Sequence, residues 1–307
     1  MAFLKTWFVI INLTSGNGSC KRKWSLVKKL LKDYSFNFNH AFTEHANHST
    51  TIVQNAIEKG FRNIICVGGD GTLHNIVNGI MLQNNVSTAT IKVGIIPVGT
   101  GNDWVKTHNI PKDIKKAIQL IKNGNTKLQD IGKMELADKN INSIYFMNLA
   151  GIGFDGYVVN HMEKYKRFGA LSYLIGALFG LFSFKNFNSQ VLLNSEDISG
   201  KTLMILIGLC KYSGGGMQLT KTPNPFDGLL DVTIAKNFSK FDILLNMPKL
   251  FNGKIINFKK VACYKTASIE IIVNKEEHSY IQADGEFIGK GHLKATIIPK
   301  AFRFYCH

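Results

Sequence analysis

The residues of this chain best suited to chemistry are carboxylates set among glycines. Gly68-Gly69-Asp70-Gly71-Thr72 follows the apolar stretch Ile64-Ile65-Cys66-Val67 and precedes Leu73, Ile76, Val77 and Ile80, which repeat at helical spacing. Glycines there let the backbone turn sharply and offer N–H groups to an anion, and the positive end of the following helix adds to the attraction. Asp70 in such a turn repels phosphate unless a divalent cation or a hydrogen-bond network lies nearby. The run is equally compatible with a plain turn. Near the far end, Asp284 and Glu286 flank Gly285. On extended chain two such side chains share a face, and a carboxylate pair of this kind can supply a base for a hydroxyl or help to hold Mg2+. Asp-Gly is also the commonest hairpin signal, both here and in Asp227-Gly228.

The elements that must position these residues follow from periodicity. Strands are expected at Trp7 to Leu13, Phe36 to Phe42, Asn63 to Val67 and Ile91 to Pro97, with helices between them. That alternation is the rhythm of a parallel sheet, and its ligand-facing loops lie at the carboxyl ends of the strands. Three such ends carry polar, glycine-backed residues: Asn12 to Gly16, Gly68 to Thr72, and Pro97 to Asp103. Together they supply the Asn12 amide, the hydroxyls of Ser15, Thr72 and Thr100, and the carboxylates of Asp70 and Asp103. The inventory is that of a nucleotide-phosphate site. After Asp130 the pattern turns to period-two strands, expected at Ile144 to Leu149, Gln190 to Leu193, Thr202 to Leu209, Asp231 to Ala235, Ala267 to Val273, Tyr280 to Ala283 and Lys294 to Pro299. A β-rich second domain follows.

Competing motifs are weaker. G-x-x-x-x-G-K-[ST] does not occur, which excludes a P-loop. Gly151-Ile152-Gly153-Phe154-Asp155-Gly156 matches a dinucleotide fingerprint, but no acid stands in Phe168 to Phe184, where the ribose ligand would fall. His40, His45 and His48 lack H-E-x-x-H or a cysteine partner and read as a solvated face.

Composition sets the outer bounds. With 307 residues, 45% of them hydrophobic, the chain can bury the cores of two domains. The net charge of +16, from 37 basic and 21 acidic residues, points to anionic partners: nucleotide phosphates, nucleic acid or an anionic membrane surface. Five scattered cysteines without a C-x-x-C pair fit a reduced, cytoplasmic setting. The opening apolar run is too short for a signal peptide. Phe168 to Phe184, flanked by Lys164, Lys166, Arg167 and Lys185, is uncharged over about 17 residues, the lower limit for a bilayer span. It reads as a helix that is buried, lines an apolar site or faces lipid.

Taken in order, Asn12-x-x-Ser15-Gly16, Gly68 to Thr72, Pro97-x-Gly99-Thr100-Gly101-Asn102-Asp103, Gly151-x-Gly153-Phe154-Asp155, Gly214-Gly215-Gly216-Met217, Asp227 to Asp231 and Asp284-Gly285-Glu286 resemble the diacylglycerol kinase catalytic family, which includes bacterial soluble lipid kinases and sphingosine kinase-like enzymes. The resemblance covers essentially the whole chain. It implies an N-terminal three-layer α/β nucleotide-binding domain, residues 1–127 with a returning tail 296–307, and a C-terminal β-sandwich domain, 128–295, with the active site in the cleft. ATP contacts are implied for Asn12, Ser15, Gly16, Thr43, Gly68, Gly69, Asp70, Gly71, Thr72 and Thr100. Glu286 is implied as the base that takes the lipid hydroxyl's proton, with Asp284 in support. A structural Mg2+ is implied at Asp227 with the carbonyls of Asn224 and Leu229, and Asp70, Asp103 and Asp130 as a carboxylate-water network. The loop Thr222 to Phe226 departs from the family pattern in lacking an alanine and a second aspartate before Asp227.

The resulting expectation is an ATP-dependent lipid kinase acting on diacylglycerol or a related lipid alcohol. It would be cytoplasmic and held on anionic membrane by basic residues at roughly 1 kcal/mol each. A sphingoid-base kinase, an NAD kinase and a non-catalytic basic module are the alternatives. Nucleic acid is not an expected partner, because no aromatic stacking platform is evident along the spaced lysines Lys249, Lys254, Lys259 and Lys260. An isologous homodimer is the default assembly.

Overall fold

A computed structural model of the chain describes residues 6–99, 101–136, 143–161, 184–273 and 278–307. It divides into two compact units, 1–129 with 300–307, and 130–299.

The first unit alternates β1 (Thr6–Ile11), α1 (Ser19–Asp33), β2 (Asn37–Phe42), α2 (His48–Glu58), β3 (Asn63–Gly68), α3 (Asp70–Leu82), β4 (Lys92–Pro97), α4 (Asp103–Thr107) and α5 (Ile114–Asn123). The strands lie in the order β2-β1-β3-β4, all parallel, and Arg303 and Phe304 pair with Lys92 and Val93 beyond β4. Trp7, Val9 and Ile11 of β1, Ile65 and Val67 of β3 and Ile96 of β4 share one core with Val27 and Leu31 of α1 and Ile118 and Ile121 of α5. Alternate strand residues point to the opposite face, where α2 and α3 pack on β1 and β3. Helices thus cover both faces, which is why these strands are apolar throughout. Local signals end the elements: the Asp113 side chain accepts the Lys116 N–H at the start of α5, and Gly124 turns left-handed at its end.

The second unit comprises β5 (Thr126–Leu136), β6 (Ile144–Phe146), β7 (Leu149–Gly153), α6 (Phe154–His161), β8 (Phe187–Leu193), β9 (Glu196–Gly208), β10 (Leu230–Lys236), α7 (Lys240–Phe251), β11 (Val261–Thr266), β12 (Ser268–Val273), β13 (Tyr280–Ala283), β14 (Glu286–Lys290) and β15 (Leu293–Tyr305), the ends of β5 and β15 being counted with the first unit. The ladders that join strands β7 through β14 to one another within the described residues, and that between β5 and β6, are antiparallel. Residues 204–208 of β9 lie between β7 and β10, while 196–202 pair with β8, which leads to β12 and β15. One long strand therefore serves both sheets of the β-sandwich.

Two expectations need correction. The strand Ile144 to Leu149 is two strands, because Met147 and Asn148 donate their N–H groups to a carboxylate rather than to a ladder. Residues 240–251, given no element from sequence, form α7. The expected helix Phe168 to Phe184 lies outside the described residues except for Phe184.

Candidate active site

Each unit holds part of the predicted set. In the first, β1, β3 and β4 are neighbours, so their carboxyl ends and the loops that follow lie side by side at one sheet edge. The loops are stitched together: Asn12 N–H donates to the Val67 carbonyl at 3.1 Å, Val98 N–H to the Gly68 carbonyl at 2.9 Å and Thr43 N–H to the Ile11 carbonyl at 2.9 Å. Asn12 Nδ2 donates to Thr72 Oγ1 at 3.0 Å, and Ser15 Oγ lies 3.4 Å from the same hydroxyl. Asn12 Oδ1 meanwhile accepts from the N–H and hydroxyl of Thr14. Gly16 has φ +61°, and a Cβ there would stand 2.2 Å from the Val98 carbonyl oxygen, so no other residue fits.

Asp70 is the first residue of α3, with Gly71 and Thr72 completing the turn and Gly69 extended before it. A carboxylate at this end is favoured by the helix dipole. Its Oδ2 accepts the backbone N–H of Asp103 at 2.7 Å, which ties the third loop to the second. One oxygen of the Asp70 carboxylate is thus satisfied by a backbone N–H. Asp103 itself is buried as the first residue of α4. Thr100 lies outside the described residues. The arrangement brings the amides, hydroxyls and glycines of Asn12, Ser15, Gly16, Gly68, Gly69, Gly71 and Thr72 to one edge, where the N-terminus of α3 and glycine-backed turns suit phosphate oxygens.

In the second unit, Asp284 and Gly285 form the two-residue turn of the β13–β14 hairpin, with φ of 50° and 85°. Asp284 and Glu286 therefore do not share a face of extended chain; the left-handed turn reverses direction between them. The Asp284 carboxylate accepts three consecutive backbone N–H groups, from Met147 at 3.0 Å, Asn148 at 2.9 Å and Leu149 at 3.1 Å. Glu286 opens β14 opposite Ala283, with its side chain exposed. Gln282 was missed from sequence. Its Oε1 accepts the Gly285 N–H at 2.9 Å and its Nε2 donates to buried Asp155, so it braces the turn from beneath. The Gly151 to Gly156 motif belongs to this bracing: a Cβ on Gly156 would stand 2.2 Å from the Tyr280 carbonyl oxygen. These glycines pack α6 on β13 and need no dinucleotide.

Asp227, the carboxylate implied for a structural cation, already has a counter-ion in the fold. Lys265 Nζ stands 2.6 Å from Asp227 Oδ2 and 3.3 Å from Asp231 Oδ2, so an ammonium already balances these carboxylates. Asp227 Oδ1 accepts the Leu229 N–H at 3.1 Å, and Asn224 Oδ1 accepts the Phe226 N–H at 3.2 Å. Burial draws the Lys265 ammonium down, but the two carboxylates more than offset it and hold it above its usual range. Burial raises the Asp231 carboxyl despite the lysine. Among the described residues no group of three His, Cys, Asp or Glu side chains could hold a metal. Asp130 takes a neighbouring role: its Oδ2 accepts the Gly228 N–H at 2.7 Å and anchors the Asp227-Gly228 turn.

Comparison with known proteins places these features. Residues 6–134 match the diacylglycerol kinase catalytic domain, and 148–306 the YegS C-terminal NAD kinase beta sandwich-like domain. A diacylglycerol kinase of Staphylococcus carnosus (strain TM300) is 30% identical over 284 residues, covering 92% of this chain and 89% of its own. One from Bacillus subtilis (strain 168) is 28% identical over the same shares. A crystal structure of a diacylglycerol kinase from Bacillus anthracis str. Sterne aligns with 100% of this chain and 98% of its own at a TM-score of 0.71 and 20% identity, a likeness of fold. No helix among the described residues is long and apolar enough to cross a membrane.

Proposed function

This chain belongs to the diacylglycerol kinase catalytic family and is an ATP-dependent lipid kinase, and on that premise we propose that it moves the γ-phosphoryl group of ATP to the hydroxyl of diacylglycerol or a close relative. The observation that carries the reading is the gathering of Asn12, Ser15, Gly16 and Gly68 to Thr72 at the joined ends of β1, β3 and β4. We assign these residues, with Thr43 and Thr100, to the nucleotide, and Asp70 to ordering the loop that faces its phosphates. The nucleotide enters as its Mg2+ complex, the metal arriving with the substrate and offsetting phosphate charge.

Phosphoryl transfer needs positioning and charge cancellation more than covalent help from the protein. The lipid hydroxyl oxygen bonds to the γ-phosphorus, the bond from that phosphorus to the β,γ-bridging oxygen breaks, and ADP departs. The hydroxyl proton goes to Glu286. An exposed carboxylate on a rigid hairpin suits this duty, and Asp284, locked by three amides, fixes where the hairpin stands. The domains divide accordingly into a nucleotide unit and a lipid unit. We further place the enzyme at the cytoplasmic face of a membrane, in keeping with its free cysteines and basic charge.

Glu286→Gln tests the assignment. Transfer from radiolabelled ATP should fall by roughly 10²–10⁴, the usual worth of a positioned base, with the melting temperature unchanged. Full activity in that variant removes Glu286 from the role. Running the wild type on diacylglycerol, a sphingoid base, other lipid alcohols and NAD names the acceptor.

A further inference from the structure

Helix α7 is apolar on two opposite faces, yet only one of them is covered. Ile243, Met247 and Leu250, spaced to share a face, turn inward, where they line an apolar cavity with Phe154, Leu206 and Leu219. On the other side Phe241, Leu244, Leu245 and Pro248 fall at i, i+3, i+4 and i+7 and form a second stripe. That stripe faces solvent: Phe241 is 75% exposed, Leu245 72% and Leu244 53%, with Phe251 at 42% continuing it. A surface helix ordinarily carries one apolar stripe, turned to the core, so the uncovered second stripe of α7 calls for a partner.

Its surroundings carry one sign of charge. Residues 236–261 contain six lysines and a single acid, Asp242. That acid is spoken for: its carboxylate binds Lys260 Nζ and the Ser239 N–H, which hold it down to about 2. Lys240, Lys249, Lys254 and Lys259 stay exposed. The Ser239–Asp242 capping box fixes the start of the helix, so its two faces hold their orientation. An exposed Phe/Leu stripe bordered by lysines is the pattern of a helix lying in a membrane interface. A second copy of this chain is a poor match, since it would bring the same lysines face to face.

We propose that α7 docks the enzyme on an anionic bilayer, with Phe241, Leu244, Leu245 and Pro248 among the headgroups and first acyl carbons and the flanking lysines on lipid phosphates. The proposal gives the lipid-kinase reading its means of reaching substrate and rests on that reading for its purpose, although docking itself requires no phosphoryl transfer.

The test is sedimentation of the full chain with vesicles of phosphatidylcholine mixed with phosphatidylglycerol, and with phosphatidylcholine alone. Wild type should bind the anionic vesicles and lose them as salt is raised. Leu245→Ser, and the same change joined to Leu244→Ser, should weaken binding by roughly tenfold or more while leaving melting and transfer to a water-soluble short-chain acceptor unchanged. Leu245→Trp should shift its emission to the blue on anionic vesicles and be quenched by brominated lipid, beyond the change in wild type. Equal binding by wild type and the serine variants, or a Leu245→Trp response identical to wild type, overturns the proposal. So does light scattering that shows a wild-type dimer broken by the serine variants with vesicle binding intact. If wild type phosphorylates no lipid but its vesicle binding still depends on Leu244 and Leu245, the docking stands and the kinase reading falls.

Discussion

The Asp70 carboxylate accepts the backbone N–H of Asp103 at 2.7 Å, binding two loops that are far apart in sequence into one wall. An acid among the glycines assigned to phosphate is thereby a structural tie. Asp70→Asn keeps an acceptor for that N–H and should melt near wild type, whereas Asp70→Ala leaves it unmet at a cost of about 1–2 kcal/mol. Both should lose transfer activity, because the charge that organises the loop is gone. Thermal melts and initial rates separate the two effects.

Asp284 spends its charge on Met147, Asn148 and Leu149. Asn tolerates the left-handed turn but presents an NH2 where an acceptor is required. Asp284→Asn should therefore destabilise the second unit by about 1.5–3 kcal/mol, the range for hydrogen bonds to a charged group. Denaturant unfolding measures it, and an unchanged midpoint would show that the three amides find other partners.

Lys265 stands between Asp227 and Asp231. Lys265→Met should cost about 1–3 kcal/mol by leaving Asp231 buried and unbalanced. Because the vacated space faces two carboxylates, added Mg2+ should raise the melting temperature of this variant and leave that of wild type unmoved. A wild-type melt that climbs with Mg2+ would show that a cation binds beside Lys265.

His108 lies 4.3 Å from the Trp104 ring and 4.5 Å from Phe304, and burial pushes its imidazole down to about 3. It stays neutral in the fold, while in the unfolded chain it takes a proton below about pH 6.5. The unfolded state therefore gains protons first, and stability falls as pH drops from about 6.5 towards about 3, by up to about 1.4 kcal/mol per unit from this residue. His108→Gln should flatten that slope in urea unfolding series across the window. A slope equal to wild type would mean that His108 titrates in the fold.

Much of the architecture is legible in the sequence, for physical reasons. β1, β3 and β4 are apolar on both faces because helices cover both, and that continuity announces a parallel sheet. Once the sheet was inferred, Asn12, Gly68 to Thr72 and Pro97 to Asp103 had to fall at strand ends. Helix α7 was overlooked because its two apolar faces blur the single-sided period that marks a surface helix.

The order and types of Asn12, Gly16, Asp70 and Glu286 were thus determined by the chain itself, since strand-end glycines and lone acids follow from backbone sterics and local periodicity. Tertiary structure alone decided the partners of the acids. Asp70 found the Asp103 amide 33 residues away, Asp284 found amides more than 130 residues back, and Asp227 found the Lys265 ammonium. Such pairings depend on which strands become neighbours, and no local pattern records that choice, because the energy that selects them is released only when the sheet closes.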